Sequence, residues 1–426
     1  MKPIVRRLLK LLGAALGLCL LAVGLVAAAL FAALRAGPDD WSERVAIGPL
    51  RIDASVLASI RIATHPLGMR ALEGRSLQTS VGRLHFAEGP VAESLRIVCD
   101  PCVIAEPALS AQPLHIAPAE ATVLRSGAND LHGEVRAGAL RGTWAAHLRA
   151  RDVALEVAVP DSPVAGVYAL FADAIPELAR ARLEGRFAAD LKVALPSRRL
   201  SLKPRIEGFV VDGLGTESLI GASPLPACAK PTRRADASAR FGAWLPKAVV
   251  AAEDQRFFEH PGYDLAEMAA AWSSPDANAR EAHRGASTLS QQLAKLLFTG
   301  EERTVARKLR ELLYAVELDR TLGKQRALSL YLSIAPWGAE RCGAEAAALH
   351  WFGKRAATLG PIESAWLASL LRNPDAELRR AAQDRAPDRK RMEAILAGMH
   401  PILRQRRKAL LEELQTWEPP VLSPTQ

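Results

Sequence analysis

The chain has 426 residues, which is long enough for two soluble domains in addition to an N-terminal segment. Its formal net charge of +9 and pI near 9.5 suit an anionic membrane surface, an anionic substrate or a nucleic acid. Aromatic residues make up only 5% of the chain and do not interleave with basic ones, so the composition argues against nucleic-acid binding.

Residues 1–36 are predicted to form a cytoplasmic N-terminus and a transmembrane anchor. The run from Leu11 to Leu34 has no charged residue, and as a helix it would exceed the roughly 30 Å hydrocarbon core of a bilayer. Four basic residues precede it: Lys2, Arg6, Arg7 and Lys10. Because positive residues favour the cytoplasmic side, the chain after Arg35 is expected on the far side. A cleaved signal peptide is the alternative, although its apolar part usually has about 7–15 residues.

Residues 40–220 are predicted to form a β-rich periplasmic domain. Apolar residues alternate along two segments, as in strands with one buried face: Val153, Leu155, Val157 and Val159, then Leu191, Val193 and Leu195. One helix is predicted from Val164 to Leu178. The pattern faintly resembles the β-rich modules of AsmA-type periplasmic proteins. Since no catalytic constellation stands out, we interpret the region as a spacer or an interaction domain.

Cys99 and Cys102 form a CxxC motif. No second CxxC is present to complete a zinc site, and the predicted compartment is oxidising. A small structural disulfide is therefore the preferred interpretation.

Residues 221–240 are rich in Ala, Pro, Ser and Arg and lack periodicity, which predicts a linker. Helical spacing follows, as at Leu309, Leu312, Leu313 and Val316, and Pro361 suits the first turn of a helix. The sequence thus predicts a multidomain protein: one transmembrane helix, a β-rich middle domain, a mainly α domain over 241–400 and a tail over 401–426.

Glu253 follows an apolar run over 248–252, so its carboxylate should lie at the edge of a buried helix. Burial raises the pKa of a carboxyl group, which makes it a better base near neutral pH. If the helix continues, Arg256, Phe257 and His260 should lie along its side. An ordinary acidic helix end is the alternative.

Gly285, Ala286, Ser287 and Thr288 are predicted to open the next helix, whose N-terminus could bind phosphate. A simple Thr or Ser cap, with solvated Gln291 and Gln292, is the alternative.

Arg307 and Glu311 are four residues apart and should face each other on a helix. Basic residues surround this pair, namely Lys295, Arg303, Lys308, Arg310 and Lys324. Cations around one carboxylate favour a pyrophosphate-binding site, while a solvated basic face is the competing interpretation.

Together these segments, from about Leu245 to Met399, resemble the peptidoglycan glycosyltransferases, family 51 of the glycosyltransferases. The EDxxFxxHxG motif is met at Glu253, Asp254, Phe257, His260 and Gly262. The second motif is met at Gly285, Ser287, Thr288, Gln291, Gln292, Leu293 and Lys295. The RKxxE motif is met at Arg307, Lys308 and Glu311, and the fourth at Lys324, Tyr331 and Leu332.

The resemblance implies a lysozyme-like fold and the polymerisation of lipid II into glycan strands, with inversion and release of undecaprenyl pyrophosphate. It implies catalytic roles for Glu253 as general base and Glu311 at the donor. The substrate-binding residues it implies are Asp254, Phe257, His260, Ser287, Thr288, Gln291, Gln292, Lys295, Arg307, Lys308 and Lys324. No cofactor is required by it, although a divalent cation, Mg²⁺ or Mn²⁺, can accompany the donor pyrophosphate.

The implied location is the bacterial inner membrane, single-pass, with the catalytic domain in the periplasm. The implied partners are lipid II and the growing lipid-linked glycan, with no nucleic acid. As an interaction domain, the β-rich domain would contact other cell-wall synthesis proteins. Neither SxxK nor KTG occurs, so no transpeptidase activity is expected. Ser333, Leu296 and Ala286 depart from the family pattern. A non-catalytic scaffold that binds lipid II and a lysozyme-like hydrolase therefore stay open as alternatives.

Overall fold

The computed structural model describes residues 34, 36–37, 40–47, 50–197, 199–220, 241–273, 287–384 and 386–420. The predicted anchor, apart from Leu34, lies outside these residues, as do the predicted linker over 221–240 and the motif residues Gly285 and Ala286. Within the described ranges, no helix combines the length and the apolarity needed to cross a bilayer.

The middle of the chain forms antiparallel β-structure, as the alternation predicts. Strands β1 and β2 make a separate hairpin, while β3 to β12 form one sheet in sequence order, with β6 pairing only to β5. The strands are β1 Ser42–Ile47, β2 Leu50–Ser55, β3 Ser76–Thr79, β4 Gly82–Glu88, β5 Ser94–Ile104, β6 Leu114–His115, β7 Ala119–Arg125, β8 Asp130–Ala137, β9 Leu140–Leu148, β10 Val153–Pro163, β11 Arg182–Leu195 and β12 Arg199–Asp212.

Two short helices cover part of the apolar face of this sheet. Helix α1, Val56–Ala63, buries Leu57 against Leu148 and Val153. Helix α2, Pro66–Leu72, buries Met69 in a second small cluster. The disulfide predicted between Cys99 and Cys102 is present in β5.

The predicted helix from Val164 to Leu178 is too long. Helix α3 spans only Val164–Ala169, and a separate 3₁₀ turn spans Pro176–Ala179. Pro176 has no backbone N–H and restricts the residue before it, so one regular helix could not continue through this position to Leu178.

The C-terminal half is helical, as predicted. Its helices are α4 Leu245–Glu253, α5 Leu265–Ser273, α6 Leu289–Ala294, α7 Val305–Ile334, α8 Ala344–Phe352, α9 Pro361–Leu370, α10 Pro374–Asp384, α11 Arg389–Gly398 and α12 Arg404–Thr416. A π-helix over Lys295–Thr299 follows α6 directly. Helix α7 carries the predicted apolar stripe and is interrupted at Gly323, whose φ is 70°. Pro361 opens α9, as predicted.

The sequence assigned 401–426 to a tail, but its described part, up to residue 420, includes a helix that packs on the helical domain. Leu410 and Leu414 of α12 are buried, and the Trp417 ring lies 6.4 Å from that of Trp366. Residues 404–417 are thus packed on the helical domain.

The sheet domain and the helical domain share one continuous apolar cluster. Tyr168, Phe209 and Val211 of the sheet domain are buried in the same cluster as Leu313 and Leu318 of α7. The two domains are therefore packed against each other along α7.

Candidate active site

Helix α4 ends at Glu253, so the condition under which Arg256, Phe257 and His260 would lie along its side is not met. Leu245, Ala248 and Val249 are fully buried and anchor the helix. Asp254 leaves the helical conformation at φ −161° and ψ 78°, because its side chain turns to bond elsewhere. Glu253 is thereby left at the helix end.

The Glu253 carboxylate is buried and held at both oxygens. Its side chain is 8% exposed, Gln292 donates to Oε2 over 3.1 Å, and Arg391 donates to Oε1 over 3.1 Å. Burial raises the pKa of Glu253, and the Gln292 hydrogen bond and the Arg391 charge only partly oppose this. A carboxylate with a raised pKa is suited to accept a proton near neutral pH.

Both partners of Glu253 are themselves fixed. Tyr331, which is 3% exposed, donates to Gln292 Oε1 over 2.8 Å and so directs the amide N–H toward Glu253. Arg391 also donates from Nε to the Ser369 carbonyl over 3.1 Å. The sequence predicted no role for either residue, although Tyr331 belongs to the fourth motif and Arg391 lies within the matched range, because their contacts with Glu253 and Gln292 are distant in sequence.

His260 pairs with Asp254 in the interior instead of lying along the side of α4. Both Asp254 oxygens lie 3.0 Å from His260 Nε2, and Oδ2 also accepts from the Leu289 backbone N–H over 2.9 Å. This pair fixes the start of α6. Gly262 packs on α7, where an added Cβ would lie 2.6 Å from the Ala315 carbonyl oxygen.

Phe257 and Lys324 belong to the same buried region. Phe257 is fully buried, and Lys324 Nζ lies 4.4 Å from the centre of its ring. Lys324 Nζ is also 2.5 Å from Asp319 Oδ2, and Ser290 donates to Asp319 Oδ1 over 2.6 Å. Lys324 is thus an ion-paired residue beneath the site.

The start of α6 is capped by its own residues. Thr288 Oγ1 accepts from the Gln291 N–H over 3.2 Å, and Gln291 Oε1 accepts from the Thr288 N–H over 3.0 Å. The interpretation as an N-cap is therefore correct for Thr288, while Gln291 is fully buried and is not the solvated side chain of that interpretation. Gln292, in contrast, bonds Glu253 and is not a solvated side chain.

Glu311 lies among the cations of α7. Its side chain is only 3% exposed and pairs with Arg307, while Lys308 Nζ lies 2.9 Å from Oε2. A solvated basic face is therefore excluded for these three residues. Burial, together with the charges of Arg307 and Lys295, lowers the pKa of Lys308 to about 8.

We refer to Arg307, Lys308 and Lys295, together with Glu311, as the cation cluster. Lys295 lies at its edge. Its side chain is 36% exposed and its Nζ is 2.8 Å from Glu301 Oε2. The two family departures that the structure describes are accommodated locally: Leu296 packs on the core, and Ser333 donates to the Ser329 carbonyl within α7.

One cavity of about 140 Å³ connects the two halves of the site. Glu253 and Arg256 line one side, and Ser287 and Thr288 line the other. Lys308 Nζ donates to Ser287 Oγ over 2.5 Å. The buried carboxylate therefore lines the same cavity as Ser287, the residue to which Lys308 of the cation cluster donates.

Comparisons with known proteins agree with this geometry. The family model described as Transglycosylase matches residues 225–400. Proteins named biosynthetic peptidoglycan transglycosylase are similar: one from Nitrosomonas eutropha is 47% identical over 130 residues, covering 30% of this chain and 53% of the relative. Another from Bordetella avium is 43% identical over 138 residues, covering 32% of this chain and 58% of the relative.

The chain thus spans somewhat more than half the length of these relatives. The resemblance predicted from the motifs is confirmed for residues 225–400.

Proposed function

We propose that this protein is a peptidoglycan glycosyltransferase that polymerises lipid II into glycan strands for the bacterial cell wall. One observation carries the proposal: Glu253 lines the same cavity as Ser287, which binds Lys308 of the cation cluster. The transglycosylase match and the named relatives support it.

In the proposed reaction, Glu253 removes the proton from the acceptor hydroxyl of lipid II. The oxygen then attacks the anomeric carbon of the donor from the face opposite the leaving group, so the configuration inverts. The bond from that carbon to the pyrophosphate oxygen breaks, and undecaprenyl pyrophosphate leaves with the electron pair. Gln292 and Arg391 keep the Glu253 carboxylate oriented for the proton transfer.

Arg307, Lys308 and Lys295 would stabilise the charge that develops on the leaving pyrophosphate. Fixed cations in a partly buried site stabilise such charge more than they would in water. Glu311 holds Arg307 and Lys308 in place, so its role here is to orient cations.

A divalent cation at the donor pyrophosphate would neutralise additional charge. Among the described residues, no group of three or more His, Cys, Asp or Glu side chains could hold a metal ion. Glu311 already pairs with Arg307 and Lys308. The described side chains therefore fit a protein-held cation poorly, and the proposed reaction proceeds without one.

The location and partners are part of the proposal. The apolar run from Leu11 to Leu34, with basic residues before it, supports a single-pass anchor in the inner membrane and a periplasmic catalytic domain. Contacts of the sheet domain with other cell-wall proteins stay a prediction.

The test is to incubate the detergent-solubilised full-length protein with labelled lipid II and separate the products on a gel. We expect a ladder of glycan chains, its loss in Glu253→Gln, and its retention in Glu259→Gln, which removes an exposed carboxylate six residues away. Bound lipid II without a ladder would favour the scaffold alternative. Shortening of preformed glycan strands would favour the hydrolase.

A further inference from the structure

Next to the cation cluster, Arg310 of α7 contacts Glu177 of the sheet domain, a contact that the sequence did not suggest. Glu177, in the turn Pro176–Ala179, accepts from Arg310 Nε over 2.9 Å and from Nη2 over 2.6 Å. Glu177 is 7% exposed. Burial alone would raise its pKa, but the Arg310 hydrogen bonds and charge lower it below the ordinary value. The pair is therefore a two-point, charge-assisted contact between the domains.

Arg310 is one residue from Glu311 and three from Arg307. Because a helix turns as a rigid unit over so short a distance, anchoring Arg310 fixes the rotation of the turn that carries the cluster. Arg310 is directed to Glu177 and is not itself a member of the cluster that pairs with Glu311.

A second set of contacts connects Glu177 with the π-helix Lys295–Thr299. Tyr314 OH lies 3.4 Å from Glu177 Oε1, and the Tyr314 ring stacks on Phe298 with centres 4.1 Å apart. Phe298 belongs to the π-helix that begins at Lys295. Glu177 thus supports both segments that supply cations.

The sheet domain also caps α7. The N–H groups in the first turn of a helix have no partner within the helix. Val305 N–H donates to the Ala108 carbonyl over 3.0 Å, and Ala306 N–H donates to the Leu109 carbonyl over 2.9 Å. The loop before β6 therefore fixes where the helix starts, two residues before Arg307.

We infer that Glu177 is a positioning residue for the anion site, through which the sheet domain sets how tightly the enzyme holds its pyrophosphate-linked donor. The inference rests on the proposed function, because it takes the α7 cluster to be the donor site. The sheet domain then supports the donor site directly and is more than a spacer.

The test measures binding of inorganic pyrophosphate to the full-length protein by calorimetry, and KM and kcat for labelled lipid II. Glu177→Gln keeps the shape of the side chain and removes its charge. We expect about a fivefold weaker pyrophosphate affinity and a similar rise in KM, with kcat changed by less than about twofold. A general loss of structure would lower kcat and the melting temperature together and would not give this split.

The control is Asp212→Asn. Asp212 pairs with Arg320 over 2.6 Å across the same domain contact, but 13 residues further along α7 than Arg307. It should bind pyrophosphate like the wild type, and an equal loss in this variant would overturn the inference. If Glu177→Gln does not fold, Glu177→Asp replaces it in the same assays. This variant keeps the charge but shortens the side chain, and it too should show weaker pyrophosphate affinity and a higher KM.

Two further results would overturn the inference: unchanged affinity and KM in the folded Glu177 variants, or no binding of pyrophosphate by the wild type. The proposed function fails separately, if the wild-type protein binds pyrophosphate but makes no glycan from lipid II.

Discussion

Gln292 donates a hydrogen bond to Glu253 over 3.1 Å, and the Tyr331 hydroxyl sets the direction of that amide. Tyr331→Phe removes the hydroxyl and lets the amide rotate away from Glu253. We expect kcat on lipid II to fall by about tenfold, since small displacements of a catalytic base are costly.

Tyr263→Phe serves as the control for this variant, because Tyr263 is also buried in the helical domain but does not bond Gln292. An unchanged kcat in Tyr331→Phe would show that Gln292 does not need its second partner.

Arg391 should control the acidic limb of the pH profile. Its charge lowers the pKa of Glu253 against the larger effect of burial. In Arg391→Gln the pKa should rise further, so activity should fall at a higher pH than in the wild type as the solution is acidified. The measurement is kcat/KM against pH, with exposed Lys390→Gln as the control on the same helix. Coincident acidic limbs would argue against Glu253 as the base.

Lys308 should control the alkaline limb. With a pKa of about 8, Lys308 loses its charge as the pH rises through that value. Binding of the pyrophosphate-linked donor should then weaken. Arginine stays protonated in this range, so Lys308→Arg should move the alkaline limb to higher pH. The measurement is kcat/KM against pH, with each profile normalised to the maximum of that protein. An alkaline limb at the same pH in both proteins would assign it to another group.

Glu317 should make the fold less stable at high pH. It is 2% exposed and accepts from the Leu214 N–H over 2.9 Å. Burial raises its pKa in the folded state. For an acid with a raised folded pKa, stability is present below the unfolded pKa and is lost as the pH rises through the folded one.

Glu317→Gln cannot ionise, so its melting temperature should exceed that of the wild type at pH 8, and the difference should shrink toward pH 4. Glu412→Gln, at an exposed position, should show no such trend. A lower melting temperature for Glu317→Gln at pH 8 would mean that the ionised carboxylate stabilises the domain contact.

Local patterns predicted what depends on local structure. The alternation over Val153 to Val159 is strand β10, and Pro361 begins α9. The motif spacing singled out Glu253 and Glu311, and the structure places both side chains in buried ion pairs, while their catalytic roles stay a prediction. The sequence did not predict the path of the backbone after Glu253. Asp254 leaves the helix and its carboxylate bonds His260 and the Leu289 N–H, and hydrophobic spacing does not predict such bonds.

Contacts between distant segments were also missed. Arg391 reaches Glu253 from 138 residues away, and Arg310 reaches Glu177 from 133 residues away. Each of these arginines looks from the sequence like one of many in a basic chain. Only the packing of α11 and of the sheet domain shows which carboxylate each one meets.

The family match covers residues 225–400, but the shared apolar cluster also includes residues of the sheet domain. The matched region is therefore smaller than the part of the chain that shares one core. A fragment cut out at residue 241 would keep the described motif residues, yet it would lose Phe209, Val211 and Leu214 from a cluster that includes Leu313. It would also leave the first turn of α7 without the carbonyls of Ala108 and Leu109. The helical half therefore shares part of its core and the start of α7 with the sheet domain, and a graft onto another anchor without the sheet would expose these apolar residues.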